Sequence, residues 1–200
     1  MIVIRLRSLI FCILATCLSV YTLIAARESL AQTKTEATVI TVVDGDTLRL
    51  RIGQDRELLR LIGIDTPETR INKRAEKQAE RNFTDTDTII KLGERAKSAV
   101  NGMAPVGTRI RVEFDVERRD HYGRLLGYVY LPDGSMLNEK ILSMGYGKLL
   151  TVPPNVRHSD RLRVAFTEAR SARRGLWSME GFESTQPRPH PPLPSLFKRR

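Results

Sequence analysis

A chain of 200 residues with 33 Lys and Arg against 23 Asp and Glu, a formal net charge of +10, has room for one ordinary domain with extensions. The positive excess suits polyanionic partners, nucleic acid or an anionic membrane surface, without conferring specificity. Both cysteines, Cys12 and Cys17, lie near the N-terminus, so the domain that follows can hold no disulfide and no cysteine nucleophile.

Residues 1–31 open with Arg5 and Arg7, run apolar from Ser8 to Ala26 and reach Ser29-Leu30-Ala31 before Gln32. This is the layout of a secretory signal peptide with a small-residue cleavage site. An uncleaved N-terminal membrane anchor is the alternative, since the run approaches the ~20 residues that span a bilayer. In either case Arg5 and Arg7 stay inside, and the remainder is expected to be exported across the cytoplasmic membrane: secreted, periplasmic or membrane-anchored. A lipid-modified Cys17 is a third reading, disfavoured because Thr16 suits poorly the position before an acylated cysteine. Without Arg5, Arg7, Arg27 and Glu28, residues 32–200 keep 30 basic and 22 acidic side chains, a net +8.

Ala37 to Val43, Thr47 to Ile52 and Glu57 to Ile64 read as three β-strands of a meander, joined by Asp44-Gly45-Asp46 and Gly53-Gln54-Asp55-Arg56. Residues 69–91 interleave Lys, Arg and Glu and end in alternating Thr and Asp, which predicts a mobile loop with room for a short helix. Leu92 to Met103 places Ala96, Ala99, Val100 and Met103 at helical spacing. Two further strands are expected at Thr108 to Asp115 and Arg124 to Leu131. In the first, Ile110, Val112 and Phe114 alternate with Arg109, Arg111 and Glu113, a core face and a wet face.

After Pro132-Asp133-Gly134, Met136 to Met144 reads as a short helix stopped by Gly145. Pro153-Pro154-Asn155 introduces a longer helix striped by Leu162, Ala165, Phe166 and Ala169, ended by Gly175, with Trp177 folded back on it. From Gly181 the chain is Pro-rich with a basic tip and is expected to be disordered. The sum is an α+β domain over 32–180: a five-stranded OB-fold-type β-barrel with about three helices packed against it.

Two segments carry chemistry-bearing side chains. Asp44-Gly45-Asp46, taken alone, is an ordinary hairpin turn. Asp65, Pro67 and Glu68, taken alone, make an ordinary helix start of the capping-box kind. Together they are harder to dismiss, because Asp46, Arg60, Asp65 and Glu68 come from neighbouring strand ends that can meet in space. Carboxylates gathered so closely repel one another, and a bound cation is the usual remedy. A third segment, Asp120-His121-Tyr122-Gly123-Arg124, runs into another strand. No Ser-His-Asp arrangement and no Gly-rich phosphate loop can be assembled. His158 and His190 show no metal-ligand spacing and are read as surface residues.

In order and approximate spacing these segments, closed by Leu176-Trp177-Ser178, resemble the staphylococcal nuclease-like (thermonuclease) family from about Val39 to Ser178. The resemblance implies a Ca²⁺-dependent endonuclease that hydrolyses DNA and/or RNA and leaves 3′-phosphate ends. It implies that Asp46, Asp65 and the backbone carbonyl of Thr66 hold Ca²⁺, with Asp44 supporting. It gives Glu68 the role of general base or water-orienting residue and sets Arg60 and Arg124 on the phosphate. His121 and Tyr122 are candidates for touching substrate, with an exposed turn as the alternative. The best-known members carry two tyrosines where this chain has Leu149-Leu150-Thr151-Val152-Pro153, and Tyr146 is the candidate replacement. The 69–91 stretch is also longer than in those members and adjoins Glu68.

A non-catalytic OB-fold module that binds nucleic acid is the competing reading, since such barrels bind single strands with basic grooves and aromatic platforms. It leaves Asp46, Asp65 and Glu68 without a purpose and wants more exposed aromatics than this domain has. A membrane-tethered interaction domain would use the Pro-rich tail and leave the acidic cluster unexplained. The chain is read as a monomer.

Overall fold

The computed structural model describes residues 34–82, 84–179 and 182. The leader 1–31, with Cys12 and Cys17, lies outside the described residues, as does the tail from Gly181 apart from Phe182, His190 included. In chain order the elements are β1 (Thr35–Asp44), β2 (Thr47–Ile52), β3 (Asp55–Leu61), β4 (Gly63–Asp65), α1 (Lys73–Asn82) and α2 (Thr86–Met103). They continue with β5 (Arg109–Glu113), β6 (Leu125–Tyr130), α3 (Leu137–Ser143), β7 (Lys148–Leu150), α4 (Ser159–Ser171) and a 3₁₀ turn over Gly175–Ser178. No described helix is long and apolar enough to cross a membrane.

Strands β1, β2, β3, β6 and β5, in that order, close a barrel. Closure leaves the sheet without an unpaired edge. Its pairs are antiparallel except β3 with β6, which run parallel. Alternation along the strands sends Leu48, Leu50, Leu59, Leu61, Ile110 and Val112 inward, each essentially without solvent contact. Burial of such side chains contributes on the order of 1.5–3 kcal/mol apiece. The expected α+β barrel is therefore present, with four α-helices among the described residues instead of about three.

The third strand is shorter than its apolar run predicts. Gly63, at φ +84°, turns the chain out of the barrel, a backbone conformation that side chains with a Cβ rarely adopt. The residues after it, β4, then pair with β7 in a separate two-stranded sheet, Asp65 facing Lys148. Strand β7 was not expected from the sequence; three residues beside Gly147 are too few for period-two alternation to show.

The 69–91 stretch is not a loop with one short helix: it holds α1 and the first turns of α2. Asn72 starts α1, its Oδ1 accepting from the amides of Arg74 (2.8 Å) and Ala75 (2.9 Å). Asp85 starts α2 in the same way, accepting from the Thr88 amide (2.7 Å). The apolar stripe of α1 is only Ala75 and Ala79, which join Ile89, Leu92, Ala96, Ala169, Leu176 and Trp177 in a second core outside the barrel. Trp177 does fold back on α4, edge-on to Phe166 at 5.5 Å between ring centroids. Phe182, inside the segment expected to be disordered, is buried 4.6 Å from Trp177 on the same measure.

On β5 the alternation also breaks. Glu113, assigned to the wet face, is only 7% exposed. Its carboxylate accepts from the Tyr130 hydroxyl (2.7 Å), pairs with Arg157 (3.1 Å) and lies 3.2 Å from His158 Nε2. His158, read as a surface residue, is a partner in this buried polar network, edge-on to Tyr128.

Candidate active site

Barrel register gathers the site. Antiparallel pairing of β2 with β3 sets Arg60 opposite Thr47, beside Asp46, and parallel pairing of β3 with β6 sets Arg60 opposite Leu126, two residues beyond Arg124. Both arginines thereby reach one cavity of about 510 Å³, which His121, Asp120 and Arg74 also line, with Leu150, Val152 and Pro153 on its apolar side.

Arg60 is 7% exposed. Its Nη2 donates to the Ile64 carbonyl (3.0 Å) and to Asp65 Oδ1 (3.4 Å), and its Nη1 lies against Asp46 Oδ1. Thr66 Oγ1 is buried without a hydrogen-bond partner among the described residues. Burial, then the neighbouring charge of Arg74, pushes the Arg60 guanidinium down to about 10, against the opposing pull of Asp65. It is still a cation at neutral pH.

Asp46, 3% exposed, accepts from the Thr47 hydroxyl (3.0 Å) and from the Thr66 amide (3.0 Å). Asp44, one turn residue away, has its carboxyl held above the ordinary range by burial. The Gly45 amide opposes that shift, and the negative charge of Glu68 adds to it. Glu68 has both carboxylate oxygens engaged, Oε1 by Arg74 Nε (3.0 Å) and Oε2 by Asn72 Nδ2 (3.0 Å). Arg74 Nη2 also contacts Asp65 Oδ1.

On the other wall, Asp120 holds Arg124 by a fork, Nε and Nη2 each at 2.7 Å, and accepts from the Arg124 amide (2.9 Å). Burial would raise the Asp120 carboxyl; the fork and the amides outweigh it and hold it below the ordinary range. The arginine is thus oriented before substrate arrives.

Asp44, Asp46, Arg60, Asp65, Thr66 and Glu68 are brought together, and Arg124 faces Arg60 across the cavity. His121 lines that cavity, while Tyr122 is 74% exposed, its ring tilted against that of His121. Tyr146 is not among the cavity's walls; it packs between the two hydrophobic cores. Sequence reading missed Asn72, Arg74, Gln78 and the role of Asp120. Gln78 fastens the loop that carries Glu68: its Nε2 donates to the Thr66 carbonyl (3.1 Å) and its Oε1 accepts from the Glu68 amide (2.9 Å). The signal for all three helix residues was slight: an Asn followed by Ala75 and Ala79 four apart.

Among the described residues no three His, Cys, Asp or Glu side chains lie close enough together to hold a metal ion by themselves. The donor set nonetheless fits a hard divalent cation. It consists of oxygens from Asp46, Asp65 and the Thr66 carbonyl, with Asp44 adjacent, its carboxyl raised by burial first and by the charge of Glu68 in addition. Such cations accept a few protein oxygens and complete their shell with water.

Helix α2 touches this loop through Gly93. A Cβ there would sit 2.6 Å from the Glu68 carbonyl carbon and 2.8 Å from the Pro67 oxygen. Gly93→Ala is therefore expected to lower stability by about 1–3 kcal/mol through overpacking. Because the strain falls on the Glu68 backbone, turnover should drop as well, by about 10²-fold for a displacement near 1 Å. Thermal melting and initial rates on the same preparation check both; a loss of stability with unaltered turnover would mean that the loop does not move.

Residues 58–179 match the family described as staphylococcal nuclease homologues, a span that includes Arg60, Asp65, Glu68 and Arg124 and starts after Asp44 and Asp46. The thermonuclease of Staphylococcus intermedius is 34% identical over 137 residues, which covers 68% of this chain and 72% of that protein. The thermonuclease of Staphylococcus hyicus is 29% identical over 140 residues, 70% of this chain and 74% of that protein. Endonuclease YncB of Bacillus subtilis (strain 168) is 31% identical over 147 residues, 72% of this chain but only 63% of YncB.

Proposed function

The chain belongs to the family of staphylococcal nuclease homologues, and from that membership we propose that it is a Ca²⁺-dependent endonuclease that hydrolyses the phosphodiester bonds of DNA and/or RNA. The observation that carries this reading is the meeting of two oriented guanidinium groups at one cavity, the buried one of them ion-paired to Asp46 and Asp65 of the acidic oxygen set. A module that only binds nucleic acid gains nothing from burying Asp46 and Arg60.

Asp46, Asp65 and the Thr66 carbonyl would hold the cation, with Asp44 in support. Bound there, Ca²⁺ would supply a Lewis acid for a phosphoryl oxygen. Arg60 and Arg124 take the non-bridging oxygens of the scissile phosphate, where in-line attack increases negative charge. Glu68 receives the proton of the attacking water. The water oxygen bonds to phosphorus as the bond from phosphorus to the 5′ oxygen breaks; the 5′ oxygen leaves as a hydroxyl, taking a proton from solvent, and the 3′ side keeps the phosphate. The leader supports an exported enzyme, free or tethered by its N-terminus.

The purified protein incubated with single- and double-stranded DNA and with RNA tests this. Cleavage is expected with Ca²⁺, none with chelator, and mass spectrometry should find 3′-phosphate termini. Binding without cleavage under every metal condition would overturn the proposal in favour of a binding module.

A further inference from the structure

We propose that Arg74 is a built-in competitor of the divalent cation, a displaceable positive charge that sets how tightly this protein binds its metal. The inference rests on the reading of Asp65 as a cation ligand and of Glu68 as the water-side carboxylate. It starts from helix α1, which is fastened to the 65–68 loop on successive turns by Asn72, Arg74 and Gln78.

Of these three, Arg74 alone brings charge. Its Nε donates to Glu68 Oε1 (3.0 Å) and its Nη2 meets Asp65 Oδ1, so one guanidinium bridges the two acids. Arg60 reaches the same Asp65 oxygen (3.4 Å) but is locked in the barrel wall, its side chain 8% exposed. The Arg74 side chain is 40% exposed, on a helix whose start depends on one asparagine. A divalent cation that takes Asp65 must either share that oxygen with a nearby positive charge or expel it. Expulsion is the cheaper course, because Arg74 is the half-exposed partner and lines the same cavity as Arg60 and Arg124. Once released it still lines the cavity where substrate phosphate would give it a new partner.

Calorimetric titration of the full chain with CaCl₂ alone, without nucleic acid, tests the assignment. Arg74→Met keeps an unbranched side chain and removes the charge. It is expected to tighten Ca²⁺ binding roughly tenfold, the scale of two partly exposed ion pairs. Arg74→Lys keeps the charge but cannot bridge two carboxylates, and its affinity should fall between the two; it also serves if the methionine variant folds poorly. Amide exchange gives a second readout: Ca²⁺ should speed exchange in the first turn of α1 of the wild-type protein and leave it unchanged in Arg74→Met. If wild-type protein binds Ca²⁺ and both variants bind it equally or more weakly, Arg74 is not a competitor. If wild-type protein neither binds Ca²⁺ nor cleaves with it, the metal reading itself fails and the inference falls with it.

Discussion

Arg60→Lys is expected to lower turnover by about 10³-fold, within the range lost when a guanidinium or an oxyanion donor is taken from a phosphoryl site. The lysine keeps a positive charge near buried Asp46, so the fold is not left with an unpaired buried carboxylate, a loss that would cost about 3–5 kcal/mol. What it cannot keep is geometry. One nitrogen cannot at once bond the Ile64 carbonyl, face Asp65 and Asp46, and present a fork to phosphate.

Its charge is also less secure. The site lowers the arginine to about 10, by burial first and then by the charge of Arg74, against the pull of Asp65. A lysine starts below an arginine and would meet the same burial and the same neighbouring cations, so its charge is the easier to lose. Residual activity of the variant should accordingly fall as pH rises above neutrality, beyond any fall in the wild-type enzyme. Arg124 cannot compensate, because two of its three nitrogens are spent on Asp120. Single-turnover rates from about pH 6 to 9.5 read both effects; near-normal turnover would remove Arg60 from the phosphate.

The barrel was legible because β2 and β5 obey one rule. Leu48 and Leu50 on β2 and Ile110 and Val112 on β5 alternate with arginines, and burial follows that period as far as Glu113, while β3 is buried continuously from Leu59. The site residues on strands were legible for the same reason, since register converts sequence order into position. Helix α1 was not. Its burial depends on two alanines and a glutamine, residues with almost no apolar signature, and the Lys and Arg around them read as a solvated loop. Arg74 and Gln78 were hidden with it. Glu113 was misplaced for a related cause: alternation predicts a side of the sheet, while Tyr130, Arg157 and His158, distant in sequence, decide whether that side is wet. Charged residues buried by tertiary partners leave no local trace.

Glu68→Gln should lower turnover by about 10²–10⁴-fold, the range attributed to a positioned proton acceptor, while substrate binding holds or tightens. The amide is nearly the size of the carboxylate and keeps an oxygen for the Asn72 donor, so the loop held by Gln78 and packed on Gly93 should not shift. It cannot take a proton from water. It also removes a negative charge from the rim of a phosphate site, which is why affinity should not suffer. The same substitution has a second consequence at Asp44, whose carboxyl is raised by burial first and by the charge of Glu68 in addition. Burial persists in the variant and the charge does not, so Asp44 should move down toward its ordinary value without reaching it. A downward shift in the NMR titration of the Asp44 side-chain carbon, together with a collapsed rate, ties Glu68 to both the acidic cluster and the chemistry. A collapsed rate with Asp44 unmoved would leave Glu68 catalytic but not electrostatically coupled to that cluster. An unchanged rate would give the proton to another acceptor.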